Sequence, residues 1–440
     1  MKKHLFFTAM LAACFFTGTA QNFDTAKMDS LFSLVHENDK AFGSFALLQD
    51  GKEIYTASFG FADVDNKTRI TEKTRFRIGS ISKSFTAAMI MQLVDEGKLS
   101  LDTKLAQFFP EMPNASEITV KHLLKHQSGL MNFTNAEDYL QWNTEMRSRD
   151  ELLELFKSNG SVFQPGERTE YSNTNYVLLS FILEDLEKQK YPEILEKRIL
   201  DPLGLKDTYY GGPIDAGKGE AYSYKKVAGW ELQSETSSSI PIGAGGIVST
   251  ASDLNRFYSA LLNGKVVSEA SLEEMKIMES GMGIGLFKFP FQDKFAFGHT
   301  GGIDGFAAIA GYFPEEKLGM ALTTSGTSID LNELLIGALS IYFGMEYSLP
   351  EYAPTVEVSE EDLQPLVGVY GNDTFPLKIT ISNQGNALFA QATGQQAFPL
   401  APSSKTKFSF DRAKITMEFL PQEKIMIFSQ GPIRQELKME

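Results

Sequence analysis

Residues 42–62 and 283–325 carry strand patterns, and residues 100–280 between them read mostly as helical segments broken by Pro and Gly. In the first stretch, apolar-rich segments flank Asp50-Gly51, a strong hairpin turn pair. After the second, Asp330 to Phe343 reads as a closing helix. A strand leaves backbone groups unpaired until another strand lies beside it. Strands at both ends with helices between therefore predict one mixed sheet, built from N- and C-terminal segments, flanked by helices and with a helical region inserted. The expected fold class is α+β.

At 440 residues the chain is long for one core, and a second unit follows the closing helix. Pro350, Pro354 and the acidic stretch Glu357 to Asp362 read as a linker. From Val367 onward, short alternating strands recur, with turn signals at Asn383-Gln384-Gly385, Thr393-Gly394 and Pro421-Gln422. This predicts a small all-β, barrel-like domain. The expected division is a signal peptide over 1–20, a main unit over 21–348, a linker over 349–359 and a C-terminal β domain over 360–440.

Lys2 and Lys3 precede an apolar run from Leu5 to Phe16, then Gly18-Thr19-Ala20, which is the layout of a secretory signal cut after Ala20. The run is too short to span a membrane. Leu11-Ala12-Ala13-Cys14 also resembles a lipoprotein cleavage box that would anchor the chain through Cys14; the two phenylalanines after Cys14 favour the soluble, exported product. A cut after Ala20 removes the single cysteine, and with it any disulfide, thiol nucleophile or thiolate metal site. Net charge is −15, and no Lys/Arg run with interleaved aromatics occurs, which argues against nucleic acid or an anionic membrane surface as partner.

Several chemistries lack their residues. Of five histidines, only His122 and His126 have helical ligand spacing, but leucines follow His122 where a metalloprotease places its glutamate. The pair reads instead as a helix end stopped by Gly129. No GxSxG elbow and no glycine-rich nucleotide loop occurs. Ser-x-x-Lys occurs three times, at Ser80-Ile-Ser-Lys83, Ser223-Tyr-Lys-Lys226 and Ser404-Lys-Thr-Lys407. Only Ser80 follows a strand-like segment (Thr74 to Ile78) and a glycine, and opens a helix, predicted over Ser82 to Glu96. A spacing of three on that helix puts Ser80 and Lys83 on one face, and the helix N-terminus adds a positive end and free N–H groups.

A serine hydroxyl needs a base, and lysine and tyrosine serve only with shifted pKa values; burial does this to lysine, a nearby lysine to tyrosine. Tyr171 and Asn173 follow a Pro165-Gly166 turn, two apart in a predicted extended piece before a helix over Asn175 to Leu186, so both side chains can face one way. Gly298-His299-Thr300-Gly301-Gly302 follows a strand-like Lys294 to Phe297. Small residues there let a substrate backbone lie along the strand edge, and the N–H of Gly302 can pair with that of Ser80 to hold an oxyanion.

Ser80-Ile-Ser-Lys83, Tyr171-Ser-Asn173 and His299-Thr-Gly301 resemble, in order, the three signatures of the penicillin-recognising serine hydrolases. The similar branch contains class C β-lactamases, D-alanyl-D-alanine carboxypeptidases, D-aminopeptidases and related esterases. The flanks resemble it too, in Phe76-Arg77-Ile78-Gly79, His126-Gln-Ser-Gly129-Leu130 and Gly243-Ala-Gly245-Gly246. The resemblance covers about residues 25–345, and implies Ser80 as nucleophile and Lys83 as the group that helps deprotonate it. Tyr171 then passes the proton to the leaving group, and Asn173 positions substrate and Lys83. His299 and Gly301 line the substrate strand, and Ser80 and Gly302 supply the oxyanion N–H groups. No metal or organic cofactor is implied.

Class C β-lactamases usually carry lysine where this chain has His299, which is expected to be a weaker, pH-dependent attractor of carboxylates. The reading is an exported serine hydrolase acting on D-residue peptides, peptidoglycan fragments or small esters. The alternatives are a β-lactamase, or a penicillin-binding sensor that deacylates slowly.

Overall fold

The computed structural model describes residues 23–440; the expected signal segment, its expected cut after Ala20, and Cys14 lie outside the described residues. Asp50 and Gly51, both at positive φ (50° and 77°), join β1 (Ala41–Gln49) to β2 (Lys52–Phe59) in the expected hairpin. The returning strands are β3 (Phe287–Phe291), β4 (Lys294–Ile303), β5 (Phe306–Phe313) and β6 (Leu318–Thr327). They form one six-stranded sheet in the order β3-β4-β5-β6-β1-β2. The N- and C-terminal segments of the main unit meet where β1 pairs with β6, from Ala41↔Thr327 to Gln49↔Leu318. Every pairing in this sheet is antiparallel, because its other four joins are hairpins; the parallel pairs implied by a mixed sheet do not occur in it.

Helices cover both faces. On one, α1 (Thr25–Glu37) buries Met28, Leu31, Phe32 and Val35 at helical spacing, in one cluster with Leu334, Leu335 and Ala338 of the closing helix. The helical region inserted between β2 and β3 holds α2 (Ser82–Asp95), α3 (Asn173–Glu187) and α4 (Ala251–Leu262), and the closing helix, α5, spans Leu331–Tyr342. Nearly every residue of α2 is buried, from Ser82 to Met91, so it runs through the middle of the protein and carries Lys83 inward, with Ser80 in the turn just before it. β6 is buried along its whole length, as a strand covered on both faces must be.

The inserted region is less helical than its sequence implies. Phe76–Arg77, Tyr209–Tyr210 and Ile247–Ser249 form a three-stranded sheet, and Tyr224–Lys226 pairs with Trp230–Leu232. Strands of two or three residues are too short to show alternation.

The C-terminal strands are β7 (Gly368–Gly371), β8 (Ile379–Gln384), β9 (Ala387–Ala392), β10 (Phe398–Pro402), β11 (Lys407–Phe410), β12 (Ile415–Leu420), β13 (Ile425–Gln430) and β14 (Ile433–Met439). They close into a barrel around Tyr370, Ile381, Leu388, Phe408, Met417 and Leu437. Ser359 caps a short helix over Glu360–Leu363, so the acidic stretch ends in a helical turn and not in extended linker. The barrel touches the main unit through Lys40 and Asp411, 2.8 Å apart, and through Lys414 and Glu333.

Candidate active site

The site begins at a tight turn. Ile78 N–H bonds the Ile247 carbonyl, and Gly79–Ile81 then makes a 3-10 turn that runs straight into α2. Gly79 sits at φ 51°, and a Cβ there would lie 2.7 Å from the Gly302 nitrogen, so only glycine brings the turn this close to β4. One helical turn on, Lys83 Nζ lies 2.9 Å from Ser80 Oγ, 2.8 Å from Asn173 Oδ1 and 2.7 Å from the Ala244 carbonyl oxygen.

Lys83 is fully buried, and desolvation pulls its pKa well below the usual lysine value. Three oxygen neighbours match the three hydrogens of an ammonium, whereas burial favours the amine. The amine satisfies the same contacts: it donates to Asn173 Oδ1 and the Ala244 carbonyl, and its lone pair accepts the Ser80 O–H. That arrangement places an amine lone pair within hydrogen-bond reach of the Ser80 hydroxyl.

Tyr171 hydrogen-bonds Ser80, and its ring centroid lies 4.9 Å from Lys83 Nζ. Burial raises the Tyr171 pKa, so the phenol stays protonated and donates to Ser80 Oγ. The lowering of a tyrosine pKa by neighbouring lysine, expected from sequence, does not occur, because Lys83 is itself driven towards neutrality. The amine of Lys83 is thus available to take a proton, and the phenol of Tyr171 to give one.

α3 starts at Asn173, two residues before the expected start, so Tyr171 and Asn173 do not share an extended segment. Ser172 is extended (φ −139°, ψ 121°) and turns the chain into the helix. Asn173 N–H and Nδ2 both donate to Asn132 Oδ1, at 3.0 and 3.2 Å, and Nδ2 also reaches Thr134 Oγ1 at 3.2 Å. This fixes the amide with its oxygen towards Lys83.

β4 supplies the opposite wall. β3 pairs only with Lys294 to Gly298, which leaves His299 to Ile303 unpaired on that edge, beside the Ser80 turn. A Cβ on Gly301 would fall 1.9 Å from the Ile78 carbonyl oxygen and 3.2 Å from the Ser80 nitrogen. His299 is 2% exposed, stacks on Phe287 at 4.3 Å and lies 6.4 Å from Tyr171. Burial lowers its pKa to about 3, and its Nδ1–H donates to the Thr300 carbonyl. His299 is therefore neutral, and the pH-dependent cation expected here is absent.

Ser80, Asn173 and Gly302 open into a cleft of about 340 Å³ with Phe133, Tyr139, Leu140, Pro241 and Ile303 as apolar lining. Asn143, Gln233, Ser234 and Thr236 add neutral polar groups, and Asp304 is tied to Arg77 at 3.2 Å and to Thr236 Oγ1 at 2.6 Å. All these lining residues come from the main unit, and none from the β domain. The other motifs lie apart. Ser404 caps a barrel turn through Lys407 N–H, and Ser223 accepts Gly305 N–H. The helical pair diverges, His122 Nδ1 facing Thr119 N–H and His126 packing on Tyr171.

The Beta-lactamase family profile matches residues 33–334. The chain belongs to the Beta-lactamase family. It is 26% identical to penicillin-binding protein 4* of Bacillus subtilis (strain 168), over 89% of this chain and 93% of that protein. Among solved structures, the D-amino acid amidase from Ochrobactrum anthropi SV3 complexed with D-phenylalanine superposes with a TM-score of 0.65 at 27% identity, covering 73% of this chain and 98% of that one. The octameric penicillin-binding protein homologue from Pyrococcus abyssi does so with a TM-score of 0.66 at 27% identity, covering 94% and 100%. This chain is thus a serine hydrolase of the Beta-lactamase family with a C-terminal β-barrel. Among its described residues, no helix is long and apolar enough to cross a membrane.

Sequence reasoning missed the residues that hold the motif side chains: Asn132 and Thr134 under Asn173, the Ala244 carbonyl on Lys83, and His126 behind Tyr171. A backbone carbonyl has no sequence signal. Asn132 and Thr134 are ordinary loop residues until folding brings α3 onto them.

Proposed function

We propose that this protein is an exported hydrolase that acts through an acyl-enzyme on Ser80, on small amides and peptides of D-residues, peptidoglycan fragments or simple esters. The observation that carries the reading is Ser80 Oγ held 2.9 Å from a buried lysine amine and hydrogen-bonded by a protonated tyrosine. Ser80 Oγ attacks the substrate carbonyl carbon while its proton passes to Lys83 Nζ. The Ser80 and Gly302 N–H groups hold the oxyanion. As the tetrahedral adduct collapses, Tyr171 gives its proton to the departing amine or alkoxide and is refilled from the Lys83 ammonium. Water then attacks the acyl-enzyme and releases the acid, restoring Ser80 O–H.

The substrate class rests on charge. His299 is neutral, and Asp304, the one carboxylate lining the cleft, is held by Arg77. The cleft thus favours uncharged leaving groups over a free carboxylate beside the scissile bond, and the amidase similarity agrees. Export rests on the signal pattern of residues 1–20. The test is turnover of D-phenylalanine amide, its L-enantiomer and a p-nitrophenyl ester by the wild type and Ser80→Ala. Ser80-dependent turnover of the ester or the D-amide is expected; rates equal in the Ser80→Ala protein would overturn the proposal.

A further inference from the structure

The reaction above makes no use of His126, yet three of its groups grip the segment that carries Tyr171. Its carbonyl accepts Glu170 N–H at 2.9 Å. Its Nδ1 accepts Ser172 N–H at 3.1 Å. Its ring stacks on Tyr171, with centroids 4.3 Å apart and planes 27° apart. The residue before Tyr171, the residue after it and Tyr171 itself are thus all held by one side chain and its backbone.

His126 is 3% exposed and sits at φ 57°, a conformation that few non-glycine residues adopt. Neighbouring bonds hold the backbone there. Gly166 N–H bonds the Gln127 carbonyl and Val162 N–H the Gly129 carbonyl, each at 2.8 Å, while Ser128 Oγ donates to Asn175 Oδ1 at 2.6 Å. An Nδ1 that accepts a backbone N–H carries no proton, so the ring is the Nε2–H tautomer. The imidazole is a fixed, neutral plate behind the phenol, outside the residues that line the cleft.

We propose that His126 is a positioning residue, which holds the Tyr171 hydroxyl at Ser80 for proton relay. The proposal rests on the acyl-enzyme reading above. Misplacing a catalytic group by about 1 Å costs on the order of 100-fold in rate. His126 also packs on Tyr176, 5.2 Å between centroids, and its Nδ1 lies 3.5 Å from Asn175 Nδ2, so the cycle below separates its effect through Tyr171 from any effect through these two.

The test is a double-mutant cycle on acylation by D-phenylalanine p-nitroanilide, whose amine leaving group needs the relayed proton, with active sites counted by the burst of p-nitrophenyl butyrate. His126→Asn tolerates the left-handed backbone and removes the ring; His126→Phe keeps a ring and removes the acceptor for Ser172. Each is made in the wild type and in Tyr171→Phe. In the wild type, His126→Asn should slow acylation per active site by about 10- to 100-fold with KM within about twofold, and His126→Phe should lie between. In Tyr171→Phe, either change should cost less than about threefold more. Equal losses in both backgrounds, or unchanged acylation in the wild type, would overturn the proposal. If the wild type shows no Ser80-dependent turnover or burst, the acyl-enzyme reading fails and this proposal with it, a result distinct from Ser80-dependent acylation indifferent to His126.

Discussion

Replacing Gly301 by alanine tests whether β4 must touch the Ser80 turn for the site to work. The new Cβ would start 1.9 Å from the Ile78 carbonyl oxygen, where contacts under 3.0 Å are essentially never seen. The two backbones must therefore part by about 1 Å, at the residue next to Gly302, whose N–H is assigned to the oxyanion. Such a displacement costs about 100-fold in rate, and losing one oxyanion donor outright costs about 10²–10³. Acylation by a p-nitrophenyl ester, followed by stopped flow, should fall by about 100-fold. Overpacking costs about 1–3 kcal/mol, so the variant should still fold and melt several degrees lower by circular dichroism. Gly302→Ala is the control for stability: its nearest neighbour to a new Cβ is the Phe306 carbonyl at 3.9 Å, so its melting temperature should match the wild type. Wild-type acylation by folded Gly301→Ala would refute the reasoning.

Lys83→Met removes the base and should slow acylation by about 10²–10⁴, measured per active site; a loss under tenfold would make another group the base. Burial lowers the Lys83 pKa, so kcat/KM should reach its plateau well below the pH of about 10.4 at which a solvated lysine loses its proton. A limb rising to about pH 10.4 would mean an ordinary, solvated lysine. His299 has a folded pKa depressed to about 3 from 6.5, so the stability it contributes above pH 6.5 is lost as pH falls towards 3. That loss is at most ~1.4 kcal/mol per pH unit, and His299→Asn should lessen the fall in melting temperature over this window; an unchanged slope contradicts a neutral, buried His299. Asp411→Ala leaves Lys40, whose side chain is 6% exposed, without its carboxylate, and should weaken barrel docking by up to about 3 kcal/mol. Limited proteolysis between 345 and 360 should quicken while Ser80 acylation stays the same, and unchanged proteolysis would show that the pair contributes little.

The sheet was legible because Asp50-Gly51 and the long strands of residues 283–325 carry period-two and turn signals that tertiary contacts only reinforce. The barrel was legible for the same reason. Ser80 and Lys83 stood out because their spacing works only on a helix with a free N-terminus, which one of the three Ser-x-x-Lys segments has. What sequence did not show depends on burial. His299 reads as titratable until folding encloses it between Phe287 and Tyr171, and Tyr171 reads as a possible base until its phenol is seen inside. Asn173 reads as extended because its helical start depends on Asn132, forty-one residues earlier. His126 resembled a helix end, and it is one; that it also lies behind Tyr171 follows only from the fold.

The claim that Ser80 is the acylated nucleophile is tested most directly by mass. Wild type and Ser80→Ala are mixed with a penicillin or a p-nitrophenyl ester, quenched in acid within the burst, weighed intact and mapped by peptide. The account predicts one acyl adduct, on the peptide containing Ser80, in the wild type alone. The same adduct on Ser80→Ala, or on a peptide without Ser80, would contradict it.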